Sequence, residues 1–332
     1  MGFLALACPL AATAKPRATS WDQPQIQKVT AAGLLGGDAV DFRPDDPLTA
    51  GDLSGLVAGL TGKPVGPPAD PTATVTIAQL DAGLIRAEGL SGAAARFRSA
   101  ALAAGLNPPA RFGPEVVARL LGLRTDHPRS QEYLEPAPSS VATRAEAAFS
   151  AAKILGWQGW EKQYVLGLSA TIQLPVLSGW EQTILQQAVS LIGYPYVFAG
   201  TSEKQQTVLG QSVPGGFDCS GFVWRVYKLA SYAVGTPLAT VLKGRTTYAM
   251  SGEVPASERI SFAGLEPGDV LFFGSRGPKS KPSQVYHAGI YLGGGWMINS
   301  SGTGVALAPI ATGYYAKAFA WARRPLSEAG LQ

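Results

Sequence analysis

Three consecutive glycines, Gly293-Gly294-Gly295, stand between two runs of β-branched and aromatic residues at 285–292 and 296–299. Glycine adopts positive φ without steric cost and the flanking residues favour pleated backbone, so the segment predicts an antiparallel hairpin. The centre of its turn decides which side chains meet, because a one-residue slip moves each of them to the other face. A three-residue loop centred on Gly293 makes His287 and Asn299 direct cross-strand neighbours. A loop centred on Gly294 pairs His287 with Ser301 and leaves Asn299 diagonal on the same face, whereas a two-residue loop sends Asn299 to the opposite face. Just upstream, Gly268-Asp269 marks a turn before a short strand, Val270 to Phe273.

The second constraint is Cys219, in Gly-Gly-Phe-Asp-Cys-Ser-Gly-Phe (215–222). The chain has two cysteines, and the other, Cys8, lies in an apolar N-terminal run. Without that run Cys219 has no internal disulfide partner, so the thiol needs another reason to be there. Asp218 can cap a helix starting at the cysteine, and Val223, Val226, Tyr227 and Ala230 follow at helical spacing. The positive end of that helix is expected to lower the thiol pKa and populate the thiolate. A nucleophilic cysteine needs a base, and the chain has only two histidines. His127 lies in the polar, turn-rich Thr-Asp-His-Pro-Arg and reads as a solvated loop residue, which leaves His287 as the partner. Asn299 could then accept from the imidazole N–H and orient the ring. A buried structural cysteine and a structural strand histidine are the plainer alternatives. Gln182 to Ile192 reads as an amphipathic helix entering the Gly193-Tyr194-Pro195 turn, and 275–283, mostly Gly, Pro, Lys and Ser, as an exposed loop at the mouth of the site. One helix bearing a nucleophile, packed on a small antiparallel sheet bearing its base, is an α+β arrangement.

Four blocks in this region resemble, in order, the signatures of the NlpC family of papain-like cell-wall cysteine peptidases. They are Gly-Tyr-Pro-Tyr-Val-Phe-Ala-Gly (193–200), Asp-Cys-Ser-Gly-Phe (218–222), Leu-Glu-Pro-Gly-Asp-Val-Leu-Phe-Phe (265–273) and the His287-to-Asn299 hairpin. The resemblance spans roughly residues 180–325 and implies a papain-like catalytic domain. It further implies an endopeptidase that hydrolyses peptidoglycan stem peptides through an acyl-enzyme, typically between γ-D-glutamate and diaminopimelate or lysine. In that family Cys219 matches the nucleophile, His287 the base and Asn299 the third polar position. Tyr196 matches the tyrosine beside the nucleophile, and Asp218 with Ser220 the pair that in some members holds a substrate's free amino terminus. Two departures stand out. The third position is more often histidine, and the usual Tyr-Val-Trp-Gly-Gly reads Tyr196-Val197-Phe198-Ala199-Gly200, with a methyl group at Ala199 where backbone runs close to the site. A papain-like amidase or acyltransferase could use the same residues, and a catalytically idle wall-binding protein is the reading from another class.

At 332 residues the chain is longer than one core usually supports. Its expected divisions are an apolar segment 1–14, a mostly helical domain 22–155, a connector 156–179 and the catalytic domain 180–332. Within 22–155, Thr49-x-x-Asp52, Thr76-x-x-Gln79 and Thr143-x-x-Glu146 each place a capping residue before an apolar run. Residues 31–37, 42–49 and 142–146 resemble S-layer homology repeats, which implies binding of a secondary cell-wall polysaccharide. A helical spacer or lid is the alternative. Trp157, Trp160 and Tyr164 argue that the connector packs against a domain. Residues 1–14 end in Ala12-Thr13-Ala14, read like an export signal and are too short for a membrane span, so the expected location is extracellular and wall-associated. Charged residues are 15% and the net charge is +4 with no basic cluster, which gives no sign of nucleic-acid binding. One cysteine and one histidine cannot furnish a zinc site without several carboxylates, and no cofactor is implied.

Overall fold

The computed structural model describes residues 20–124, 135–177 and 179–332. The apolar N-terminal segment with Cys8, and His127, lie outside the described residues.

The helical half is built on a threefold repeat. Helices α2 (Ala50–Thr61), α3 (Ile77–Ala87) and α6 (Arg144–Ile154) each follow a short extended step, and Thr49, Thr76 and Thr143 are their N-caps. Thr49 with Asp52 and Thr76 with Gln79 form complete capping boxes, each satisfying two orphan backbone donors. At the third, Thr143 accepts from Glu146 N, but the Glu146 carboxylate turns inward to Arg124, 3.1 Å away. The three extended steps close a ring of backbone bonds. Leu48 N donates to Ala142 O, Ala142 N to Val75 O, and Val75 N to Leu48 O, at 2.7, 2.8 and 2.9 Å. No step can leave without orphaning buried groups in both others. Helices α1 (Gln23–Ala31), α4 (Ser91–Ala103), α5 (Phe112–Leu120) and α7 (Trp160–Thr171) complete this half. The expected connector is therefore half helix. α7 packs on α4, Trp157 lies against the core, and Trp160 and Tyr164 are exposed.

The second half begins with α8 (Gly179–Ser190), three residues earlier than periodicity placed it. Two small strand pairs follow, β1 (Thr201–Ser202) with β4 (Gly216–Phe217) and β2 (Gln206–Val208) with β3 (Gln211–Val213). Next come α9 (Cys219–Trp224), running on as a π-helical turn over Arg225–Leu229, and the short helices α10 (Leu238–Val241) and α11 (Thr247–Gly252). Strands β5 (Val270–Gly274), β6 (Val285–Gly293), β7 (Trp296–Ser301), β8 (Gly304–Pro309) and β9 (Phe319–Arg323) form one antiparallel sheet, ordered β8-β7-β6-β5-β9. Helix α12 (Gly313–Ala318) links β8 to β9, and α13 (Pro325–Glu328) follows. Phe222, Val223, Val226, Tyr227 and Ala230 are buried as the helix that begins at Cys219 packs on β6 and β7, so the α+β arrangement is the one observed.

The hairpin closes on the two-residue turn Gly294-Gly295, with Gly293 opposite Trp296, and a bulge between Tyr291 and Gly293 restores the parity, so that the rest of the strands keep the register centred on Gly294. Asn299 pairs with Gly289 and Ile298 with Ile290, and two steps further the same register sets His287 level with Ser301. The glycine run does more than turn. A Cβ on Gly294 would collide with the carbonyl of Gln173, where the chain leaving α7 crosses the hairpin tip.

One apolar core runs through both halves, from Ile26 and Val29 to Trp321 and Leu326, and a second, smaller cluster around Leu271, Phe273 and Met297 lies within the second half. Phe97 of α4 meets Trp296 of β7 edge to face, ring centres 5.7 Å apart. Polar contacts lock the same seam. Arg111, the N-cap residue of α5, donates to the carbonyl of Ser190 at 2.6 Å, and Gln186 of α8 exchanges two hydrogen bonds with the backbone of Asn107. Arg119, within α5 and buried, donates to the carbonyls of Gly193 and Thr303. Gly304 is glycine for this reason, since a Cβ there would strike the Arg119 guanidinium.

Candidate active site

Cys219 is the first residue of α9, and Asp218 caps that helix through a 2.5 Å bond from Gly221 N. An aspartate cap is worth about 1 kcal/mol and fixes the start of the helix, hence the position of the thiol. The thiol is half-buried and faces a pocket of about 310 Å³, lined also by Tyr196, Tyr286, His287, Ser301, Gly302, Tyr314 and Tyr315. Cys219, His287 and Tyr196 are thus gathered at one cavity. Asn299 stands behind His287, 1% exposed, with its Oδ1 3.0 Å from His287 Nε2. Asn299 engages only Nε2, so Nδ1 is the ring nitrogen that it leaves available to the pocket shared with Cys219.

The electrostatics correct one expectation. The thiol pKa is not depressed: burial pushes it up to about 11, and the neighbouring Asp218 carboxylate adds to the rise. The backbone N–H groups of Ala288 and Ser220 and the charge of Arg245 oppose this without cancelling it. The carboxylate that caps the helix also offsets its positive end at the sulfur. Burial pushes His287 down to about 4, with the Asn299 hydrogen bond opposing. At neutral pH the resting pair is therefore a neutral thiol and a neutral imidazole.

Asp218 and Ser220 belong to a closed network. Asp218 Oδ1 accepts from Ser220 Oγ at 3.1 Å, Gly221 N at 2.5 Å and Arg245 Nη2 at 3.1 Å, and Oδ2 accepts from Ala199 N at 2.9 Å. Arg245 Nη1 also donates to Ser220 Oγ at 2.6 Å. Ala199 holds its end with φ +62°, a left-handed conformation that suits glycine and explains the family's usual residue there.

Sequence reasoning missed four participants. Arg245 carries no spacing signal, Tyr315 lies on α12 outside any strand pattern, and Tyr286 and Tyr314, hydrogen-bonded at 2.8 Å, meet only in three dimensions. The segment 275–283 is mostly exposed, as expected, but does not stand at the mouth of the site. Gly277–Lys279 and Pro282–Gln284 are 3-10 turns, Gly277 and Ser280 are buried, and none of the segment lines the pocket. Ser280 Oγ accepts from Arg276 N, which folds the segment inward.

The NlpC/P60 family profile matches residues 193–324. Those residues are an NlpC/P60 domain. A probable endopeptidase of Mycobacterium tuberculosis (strain ATCC 25618 / H37Rv) is 33% identical over 129 residues, 39% of this chain and 26% of that protein. A gamma-D-glutamyl-L-lysine dipeptidyl-peptidase of Bacillus subtilis (strain 168) is 27% identical over 152 residues, 45% of this chain and 43% of its own. The crystal structure of an NlpC/P60 family protein from Bacillus cereus ATCC 10987 aligns with 46% of this chain and 42% of that one, at 27% identity and a TM-score of 0.34. The chain spans under half the length of each of these relatives. Outside the NlpC/P60 domain, no described helix is long and apolar enough to cross a membrane, and the same holds within it.

Proposed function

We propose that this protein is an exported cysteine endopeptidase that hydrolyses peptidoglycan stem peptides, at the bond between γ-D-glutamate and diaminopimelate or lysine. The observation that carries this is the convergence of Cys219, His287 and Tyr196 on one pocket with Asn299 bonded behind the imidazole. The printed names of the relatives supply the substrate class. Because thiol and imidazole start neutral, the proton passes from Sγ to His287 as sulfur attacks the carbonyl. The imidazolium returns it to the departing amine, leaving a thioester on Cys219 that water then hydrolyses, with His287 taking a proton from the water.

The Asp218 network bears on which ends of the substrate are recognised. Both carboxylate oxygens are already occupied by donors, and Arg245 neutralises the charge that would attract an ammonium. This favours stem peptides still joined to glycan over release of a dipeptide from a free amino terminus. The N-terminal half is read as scaffold. Arg144 of Thr143-Arg144-Ala145-Glu146 bonds to Leu35 O, Phe42 O and Asp52, and Glu146 to Arg124, so both charged residues of the motif serve internal contacts.

The test is mass spectrometry of muropeptides after incubation with the protein and with Cys219→Ala. New termini at the γ-D-glutamyl bond, absent with the variant, are expected. An amidase would free intact stem peptides from the glycan, an acyltransferase would give joined products, and equal digestion by Cys219→Ala would end the cysteine reading. Faster cleavage of a free Ala-γ-Glu-diamino acid peptide than of its muramyl form would reverse the preference assigned to Asp218.

A further inference from the structure

The third member of the triad is an asparagine, and an amide is two-faced: its oxygen accepts and its nitrogen donates. Only the oxygen side makes His287 a base in the right place. If the amide nitrogen faced Nε2, that atom would have to carry the lone pair, and Nδ1, the nitrogen left available to the pocket, would carry the hydrogen. Carboxamide orientation at Asn299 therefore decides which imidazole nitrogen can take the thiol proton.

Two neighbours fix it. Asn299 Nδ2 lies 3.5 Å from the carbonyl of Ala306 on β8, an atom that can only accept. Asn299 Oδ1, already 3.0 Å from His287 Nε2, is also 3.3 Å from the hydroxyl of Tyr315. Burial pushes the Tyr315 hydroxyl up to about 12, so it keeps its proton at neutral pH, and Ser301 hydrogen-bonds it from the other side. One lone pair of the oxygen thus meets the Tyr315 O–H and the other faces His287 Nε2, which must carry the ring hydrogen to complete the bond. The ring of Tyr315 adds a second restraint, lying near-parallel to the imidazole at 29°, centroids 5.8 Å apart. Phe273 lies 5.7 Å from the imidazole. Phe273 and Tyr315 also pack on each other, centroids 5.0 Å apart, so the two rings form one aromatic wall against which the imidazole rests.

We propose that Tyr315 is a positioning residue for the reaction, holding Asn299 oxygen-first and His287 as the tautomer protonated on Nε2, through one hydroxyl contact and one ring contact. The kinetic part of this inference rests on the peptidase reading above; the tautomer part does not.

The experiment uses the full chain with imidazole 15N labelling. The chain has two histidines, and His127→Gln assigns their signals. Long-range 15N–1H spectra at neutral pH are expected to report His287 as the Nε2–H tautomer in the parent protein. In Tyr315→Phe, which keeps the ring and loses the hydroxyl, the Nδ1–H form should become detectable. In Tyr315→Leu, which loses both contacts, the mixture should be larger. On a defined muropeptide kcat should fall roughly tenfold for Tyr315→Phe with KM little changed, a part of the 10²–10⁴ that general acid–base catalysis supplies. The leucine variant should fall further. An unchanged tautomer in both variants overturns the proposal, as does a rise in KM alone, which would make Tyr315 a substrate contact. If the parent protein cleaves no muropeptide, the peptidase reading fails while the spectra still decide the role of Tyr315.

Discussion

A neutral resting pair has a measurable signature at Cys219. Alkylation needs the thiolate, so a thiol near 11 should react slowly with iodoacetamide at pH 7 and faster by about tenfold per pH unit until it approaches its pKa. A fast, pH-independent rate between pH 5 and 8 would instead reveal a preformed ion pair. At Asn299, replacement by alanine leaves the Nε2–H without its partner, a loss of about 1–3 kcal/mol, and turnover should slow by roughly ten- to a hundredfold. Asn299→His, which can also accept that hydrogen bond, should retain most activity, whereas His287→Ala should lose about 10²–10⁴. Turnover on one muropeptide ranks the three, and a wild-type rate for Asn299→Ala would remove it from the triad. The meeting of Cys219 and His287 at one pocket was legible because each stands in a short motif. The thiol pKa was not, since the helix end is visible in sequence but its depth of burial is not.

At the scale of elements, the ring of extended steps was half legible. Pro44, Pro71 and Pro138 each precede an apolar residue and the capping threonine at one spacing, so the repeat is present in sequence. What sequence could not give was closure, because its bonds join residues far apart in the chain. Helix α5 was not read at all, and it carries the second titratable feature of the molecule. Glu115 and Asp81 are fully buried, and both carboxyl groups are raised chiefly by burial, Glu115 to about 8. Asp81 and Glu115 face each other, with Arg119, Arg124 and Arg111 around Glu115, and Arg124 also pairs with Glu146. A raised carboxyl binds its proton in the folded state at pH values where the unfolded chain has released it. Its stabilising effect is complete below about 4.5 and is lost as pH rises through about 8. Glu115→Gln, which keeps the shape and cannot ionise, should flatten the fall in Tm between about pH 5 and 8. A variant whose Tm declines as steeply as the parent's would place the titrating group elsewhere.

At the scale of the whole molecule, the question is whether the helical half is a tethered module or part of the catalytic body. A tethered module shares few contacts with its neighbour and can be removed without changing chemistry at the site. Here the halves share one core, and Arg119 of the helical half grips Gly193, at the start of the segment leading to Tyr196, and Thr303, next to the pocket residues Ser301 and Gly302. The sequence implied a boundary near residue 180 because family signatures begin there, yet a signature marks conserved chemistry and says nothing of where packing stops. Residues 180–332 expressed alone would expose Trp296, which Phe97 of the helical half covers, and would leave the Gly193 and Thr303 carbonyls without their Arg119 donor. The fragment should aggregate or unfold at markedly lower temperature than the full chain. The subtler test is Arg119→Lys in the full chain, which retains a buried cation beside Glu135 but cannot fork to two carbonyls. If α5 shapes the pocket wall, kcat on a soluble muropeptide should fall several-fold while the protein stays folded. A soluble 180–332 fragment with the full chain's kcat would show instead that the catalytic body ends where the signatures do.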